Sequence, residues 1–347
     1  TAYMEKFGIC GWVASNRYTY QASSPFTDLM LNIKYLISPN GVYLDQDHQK
    51  LVNQSGSVKL LENTSYLPMG FMVDDALLDF DVEFASANPF DNQNQMFRLA
   101  TGLNGNLYEQ LQVVSQGHTD HSVFPVTKND YGSYSFELKD TTQQPHLKYN
   151  YTAPYDGTAY AYFQCGEGES VDLRINDNTV VTNYVKRPYI MQMGTVKEGD
   201  KLSVYSNLSD VTVGSARVYC NMLNEELFRQ GVEKLSQSTL SCTKSTDTLI
   251  KGTIDVKEDG LFYTSIPYDK GWKAYVDGEQ VEVTPLCDAL VTFKLSAGQH
   301  DIKLKYCPQG FVPGLLATLL GIAVFVLIIL YDKKKLVFKK AETAKAQ

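Results

Sequence analysis

Twenty-one consecutive residues, 311–331, carry no charged side chain. As a helix rising 1.5 Å per residue the stretch is about 31 Å long, close to the ~30 Å hydrocarbon core of a bilayer. A core helix in a globular domain keeps a polar face and rarely runs this far without one. The segment therefore reads as a transmembrane helix. Asp332 follows it, then Lys333, Lys334, Lys335, Lys339, Lys340 and Lys345. Lysines beside a span stay in the cytoplasm. This orientation puts the tail, 332–347, inside and the 310 residues before the span outside.

Net charge is −8, and the tail contributes +4, so the remainder carries −12. An ectodomain that acidic argues against a nucleic-acid partner, and against anionic lipid held through a basic patch. The 23 tyrosines and 16 phenylalanines suit β-strands and sugar-facing surfaces, and equally the core of a sandwich. Cys10, Cys165, Cys220, Cys242, Cys287 and Cys307 show no CxxC or CxxH spacing, which argues against a metal cluster. An even number outside the membrane permits disulfides, with Cys165 and Cys220 a candidate pair, and equally permits thiols packed as small hydrophobes. Residues 1–15 have neither a basic leader nor a sustained apolar run. The expectation is that this is the C-terminal piece of a longer membrane protein.

Along the chain, Thr27-Asp28 predicts the start of a short helix with Leu29, Ile33 and Leu36 on one face, ended by Ser38-Pro39-Asn40-Gly41. Residues 45–57 read as a polar loop. Asn88-Pro89 predicts a second helix over 90–100, closed by Gly102 and Gly105. From Tyr134 short alternating runs separated by Gly, Asn and Asp predict strands. Asn176-Asp177 and Asp277-Gly278 each sit between two such runs, a strong hairpin signal because both turn positions tolerate positive φ. The hairpins belong to two copies of a repeat roughly a hundred residues apart. One copy runs from Tyr155-Asp156-Gly157 to Tyr205, the other from Glu258-Asp259-Gly260 to Tyr306. Both read as antiparallel sandwiches. Between them Asn224 caps a helix with Phe228, Val232 and Leu235 as its apolar stripe.

The expected fold is therefore mainly β with some α. A mixed α/β region, 1–132, precedes a first sandwich, 133–222, a connecting helix, 223–240, and a second sandwich, 241–310. The transmembrane helix, 311–331, and the basic tail, 332–347, complete the chain.

Chemistry is sparse. His118-Thr-Asp-His121 is the one close histidine pair, and its Gly/Ser/Thr-rich surroundings read as a solvated loop. Hydrolase, zincin, Walker and dinucleotide fingerprints do not occur. Asp74-Asp75 and Asp79/Asp81 are carboxylate pairs of a kind any acidic chain contains. Asn53, Asn63, Asn150 and Asn207 begin chance glycosylation sequons. The most distinctive run is Tyr268-Asp269-Lys270-Gly271-Trp272. Trp272 either plugs the sandwich core, the commoner use of a buried aromatic, or stacks on a sugar with Tyr268 and Asp269 beside it. No catalytic residue, metal ligand or cofactor site is assigned.

Several runs recur together in order. They are Thr27-Asp28 with Leu31-Asn-Ile-Lys-Tyr-Leu-Ile37, Asn88-Pro-Phe-Asp-Asn-Gln-Asn94, Lys251-Gly-Thr253, Tyr268-Asp-Lys-Gly-Trp-Lys-Ala-Tyr-Val-Asp-Gly278, Leu295-Ser-Ala-Gly-Gln-His300 and Tyr306, followed by the final apolar helix and lysines. The ordered set resembles the C-terminal portion of bacterial YfhO-family membrane proteins, over essentially the whole chain. That resemblance implies a relation to multi-pass GT-C glycosyltransferases. These take sugar from a polyprenyl-phosphate donor at the outer face, here for cell-envelope acceptors such as lipoteichoic acid. The GT-C catalytic carboxylate lies in an early outer loop among N-terminal membrane helices, a region with no counterpart in this sequence. Cys287 and Cys307 lie outside the family pattern.

Two functions follow. The first is the outer domain and last anchor of such a transferase, serving acceptor binding or structure, with the bilayer, a glycan acceptor and a polyprenyl-phosphate donor as partners. The second is a non-enzymatic, membrane-anchored carbohydrate-binding or adhesive surface protein. A sortase-type signal would favour the second, and Tyr306-Cys-Pro-Gln-Gly310 is not one.

Overall fold

A computed structural model describes residues 2–12, 17–20, 24–82, 85–117, 126–130, 132–137, 146–166, 168–184, 187–208 and 213–345. It is mainly β, in several antiparallel sheets, with five α-helices among the described residues: α1 (Ala2–Lys6), α2 (Pro25–Met30), α3 (Pro89–Thr101), α4 (Glu225–Leu235) and α5 (Phe311–Lys345). The histidine pair at 118 and 121 lies outside the described residues.

The repeat is visible in strand order. In the first copy one sheet runs Asn178–Tyr184, Gly168–Ile175, Lys201–Leu208, His146–Thr152, Ser115–Gly117. In the second the matching sheet runs Glu279–Val281, Trp272–Val276, Gly298–Tyr306, Leu249–Val256, Ser241–Thr246. The facing sheets match as well: Ile190–Val196 beside Gly157–Cys165 beside Val213–Leu223, against Leu290–Leu295 beside Gly260–Pro267 beside Phe71–Val73. The third position of the second copy is thus filled by a strand from the N-terminal region, with Phe262 opposite Met72. Both hairpins form as the sequence predicts, with positive φ at Asn176, Asp177, Asp277 and Gly278.

Phe163, Val171, Leu173, Val204 and Val218 fill the first sandwich, and Phe262, Val291, Phe293, Ile302 and Leu304 the second. A third core joins them. Phe26, Leu29, Phe90 and Phe97 from the N-terminal helices pack with Tyr160 and Tyr219 of one sandwich and Leu261 and Tyr263 of the other. Gly157–Cys165 is therefore covered on both faces, which is why it reads as an almost continuous apolar run rather than alternating.

Two local expectations change. The helix predicted from Thr27 is α2, which starts two residues earlier at Pro25. Ser24 caps it in a reciprocal capping box with Thr27. It stops short of Ile33 because Asn32 takes φ +60°, and Tyr35–Ser38 then pairs as a strand with Val58–Asn63. Residues 45–57 are not all loop, since Gln49–Ser55 joins the same small sheet. Cys165 and Cys220 do not bridge one another. Cys165 lies opposite Ala216 and Cys220 opposite Ala161, so they are four positions out of register. That is about 13 Å, against the ~7 Å limit for a disulfide.

Asn88 and Asn224 cap α3 and α4 as the sequence predicts, and Gly102 closes α3 in the left-handed conformation. In α5 the stretch Phe311–Lys334 is long and apolar enough to cross a membrane, and none of it is buried against the rest of the protein.

Candidate functional site

The distinctive run lies at one end of the second sandwich. Gly260–Pro267 finishes there, and the chain turns through Tyr268, Asp269 and Lys270 into Trp272–Val276. Asp269 holds the turn, its Oδ1 accepting from the Gly271 amide at 2.7 Å and its carbonyl from the Trp272 amide at 3.0 Å. The Gly271 carbonyl accepts from the Cys307 amide at 3.1 Å. A Cβ at Gly271 would stand 2.4 Å from the Cys307 carbonyl oxygen, so only glycine fits. The Trp272 ring lies 5.0 Å from that of Tyr306 at 44°. Tyr268 and Trp272 are half-buried against the second core, whereas Asp269 and Lys270 are exposed. Trp272 is thus neither a fully buried plug nor a free platform. Five residues after Tyr306, α5 begins. The three residues singled out from sequence come together, at the end of the domain from which α5 leaves.

The block 88–94 proves to be a set of backbone splints. The Asn92 amide donates to the carbonyls of Lys6 at 2.6 Å and Ser86 at 2.9 Å. Gln93 donates to the Phe7 carbonyl at 2.8 Å and accepts from the Ser24 hydroxyl at 2.8 Å. Asn94 both donates to and accepts from the Tyr108 backbone, at 3.0 and 2.7 Å. These buried amides satisfy irregular backbone that would otherwise be left unpaired.

A polar cluster that the sequence reading did not single out joins three parts of the molecule. His48 Nδ1 lies 2.8 Å from Asp45 Oδ1, and Nε2 lies 2.9 Å from Glu225 Oε2 at the start of α4. The Tyr160 hydroxyl donates to Asp45 Oδ2 at 2.8 Å. The His48 ring also meets Phe228 edge-on at 5.5 Å. Burial opposes a charge on His48, but the bonds to Asp45 and Glu225 outweigh it and raise the imidazole to about 10. Both ring nitrogens are engaged, so the residue is a latch rather than a base or nucleophile. In sequence the partners are far apart, and only the short Asp45-to-His48 spacing was visible.

A polar cleft of about 140 Å³ opens between the C-terminal ends of α3 and α4, lined by Asp74, Lys234, Gln237, Lys257, Glu258 and Asp259. It is smaller than a typical small-molecule site of several hundred Å³. Among the described residues no group of three or more His, Cys, Asp or Glu is arranged to hold a metal.

Comparison with solved structures finds distant likenesses. A GH2 β-galacturonidase from Eisenbergiella tayi bound to galacturonate is similar at 10% identity and a TM-score of 0.21, over 58% of this chain and 38% of that one. The chain thus spans about two-fifths of that protein's length. A conserved protein of unknown function, PA5104 from Pseudomonas aeruginosa PAO1, is similar at 8% identity and 0.17, over 55% and 93%. A β-glucosidase from Kluyveromyces marxianus is similar at 9% identity and 0.17, over 52% and 40%. No curated protein matches the chain. Residues 2–318 match the family described as bacterial membrane protein YfhO. With nearly the whole length matched, and with the helix that follows Gly310 apolar enough to span a bilayer, the chain belongs to the YfhO family of bacterial membrane proteins.

Proposed function

We propose that this chain is the outer-face domain and last membrane anchor of a glycosyltransferase that uses a polyprenyl-phosphate-linked sugar to modify a cell-envelope glycopolymer of the lipoteichoic acid kind. In this reading the chain holds or orients the acceptor, and membrane-embedded parts of the whole protein carry out the transfer. The observation that carries it is the position of the Tyr268, Asp269 and Trp272 corner. A half-buried indole beside an exposed carboxylate is a composition suited to a sugar, the ring meeting its apolar face and Asp269 accepting from hydroxyls. The corner is tied by the Cys307–Gly271 hydrogen bond to residues immediately before the membrane helix. A lipid-linked donor would be presented at that height.

The test is acceptor kinetics in the whole protein with Asp269→Asn and Trp272→Phe, both of which keep the shape of the corner. The expected result is a KM for acceptor raised about tenfold with kcat retained, the pattern of lost ground-state binding. An unchanged KM overturns the assignment of the corner.

A further inference from the structure

The charge of the ectodomain is not evenly spread. On the outer face of the second sandwich, register places Lys244 opposite Lys251, Lys251 opposite Lys303, and Lys303 opposite Tyr275. The next row toward the membrane places Leu249 opposite Lys305 and Lys305 opposite Lys273. Five lysines thus share one face across four adjacent strands. Among the described residues no carboxylate lies within ion-pair distance of any of the five. Asp301, opposite Thr253, and Asp255, opposite Gln299, stand on the same face at the end away from α5, with the exposed Glu282 just past the edge strand Glu279–Val281.

Like charges directly opposite each other on a sheet are destabilising. Here they are stacked with no carboxylate paired to any of them, the nearest acidic side chains being Asp301 in the adjoining row and the exposed Asp247 and Asp269 in the turns at the α5 end. The two lysine rows are also the two nearest the membrane. Lys305 precedes the first residue of α5 by six positions, at most about 20 Å of extended chain. Leu249 stands opposite Lys305 in register, and the Lys303 ammonium sits 4.4 Å from the Tyr275 ring. Trp272 and Tyr306 form the next pair toward α5, on the opposite side of the sheet from the lysines.

We infer that this face rests on the outer leaflet, with Lys244, Lys251, Lys273, Lys303 and Lys305 neutralised by anionic phospholipid headgroups, so that the domain lies against the bilayer it is anchored in. This goes beyond the acceptor reading and does not depend on it. The chain-average charge of −12 outside the tail points the other way, because an average cannot register five lysines gathered by strand pairing from 244 to 305.

The experiment uses the full chain in lipid nanodiscs of phosphatidylcholine, alone or with about one-third phosphatidylglycerol, and follows amine acylation of each lysine by mass spectrometry. The five face lysines are expected to react about fivefold more slowly in the anionic discs, while Lys148 and Lys197 of the first sandwich keep their rates. Salt at about 0.5 M should abolish the difference. Equal rates in the two discs overturn the inference. So does slowing by soluble glycerol-phosphate polymer in neutral discs without slowing by the anionic lipid, which would assign the face to a polymer instead.

Discussion

Protonated between Asp45 and Glu225, the His48 imidazole makes stability depend on pH in a defined sense. Its folded value, about 10, lies above the ordinary 6.5 of an exposed histidine. The contribution is therefore fully present below about 6.5, declines as pH rises, and is gone once pH passes about 10. Thermal melts across that window should show a falling midpoint. Glu225→Gln, which keeps a hydrogen-bond partner but removes a charge, should move the fall to lower pH. Identical profiles for the two proteins would show that the latch does not titrate. The sequence shows Asp45 three positions before His48, but nothing in it brings Glu225 or Tyr160 near. The Asn92, Gln93 and Asn94 amides were legible as a distinctive block, yet their splinting role depends on carbonyls at positions 6, 7, 86 and 108 that no local pattern points to.

Among elements, those with strong local chemistry were readable and those defined by tertiary pairing were not. The Asn caps of α3 and α4 and the two hairpin turns satisfy their backbone within a few residues, so the sequence displays them. Leu29, Ile33 and Leu36 have helical spacing by coincidence. Ile33 and Leu36 belong to the approach and strand that pair with Val58–Asn63. The contact of α3 with α4 turns on Gly231, where a Cβ would lie 2.3 Å from the Phe97 ring. Alanine in mid-helix normally gains up to about 1 kcal/mol over glycine, but overpacking typically costs about 1–3. Gly231→Ala should therefore be net destabilising, read as a lower denaturation midpoint; a more stable variant would show that the helices separate freely. Trp272→Ala should lower stability by about 2 kcal/mol. That is less than the ~3–5 of a fully buried indole, because the ring is only half-covered. A melting temperature equal to wild type would remove it from the second core.

For the molecule as a whole, the lysines in the C-terminal part of α5 predict, by the positive-inside bias, a C-terminus inside and sandwiches outside. Cys242 is exposed on the second sandwich. An impermeant thiol reagent on intact cells should label Cys242 and spare a cysteine introduced as Ala344→Cys. The opposite labelling would invert the topology. The strand Phe71–Val73 has a further consequence at this scale. It covers Gly260–Pro267 along the side that faces away from Leu290–Leu295. Cut free of the preceding chain, the segment 241–310 would expose that strand's row of N–H and C=O groups, the kind of open margin on which separate molecules template one another. Such a fragment is expected to run as a self-associated species on size exclusion, and a peptide spanning 69–75 supplied in trans to return it to monomer. A fragment that is monomeric alone would show the margin to be protected in some other way. The N-terminal region thus acts toward the second sandwich as a donor does in strand complementation: it lends one short segment and thereby denies the same groove to every other chain.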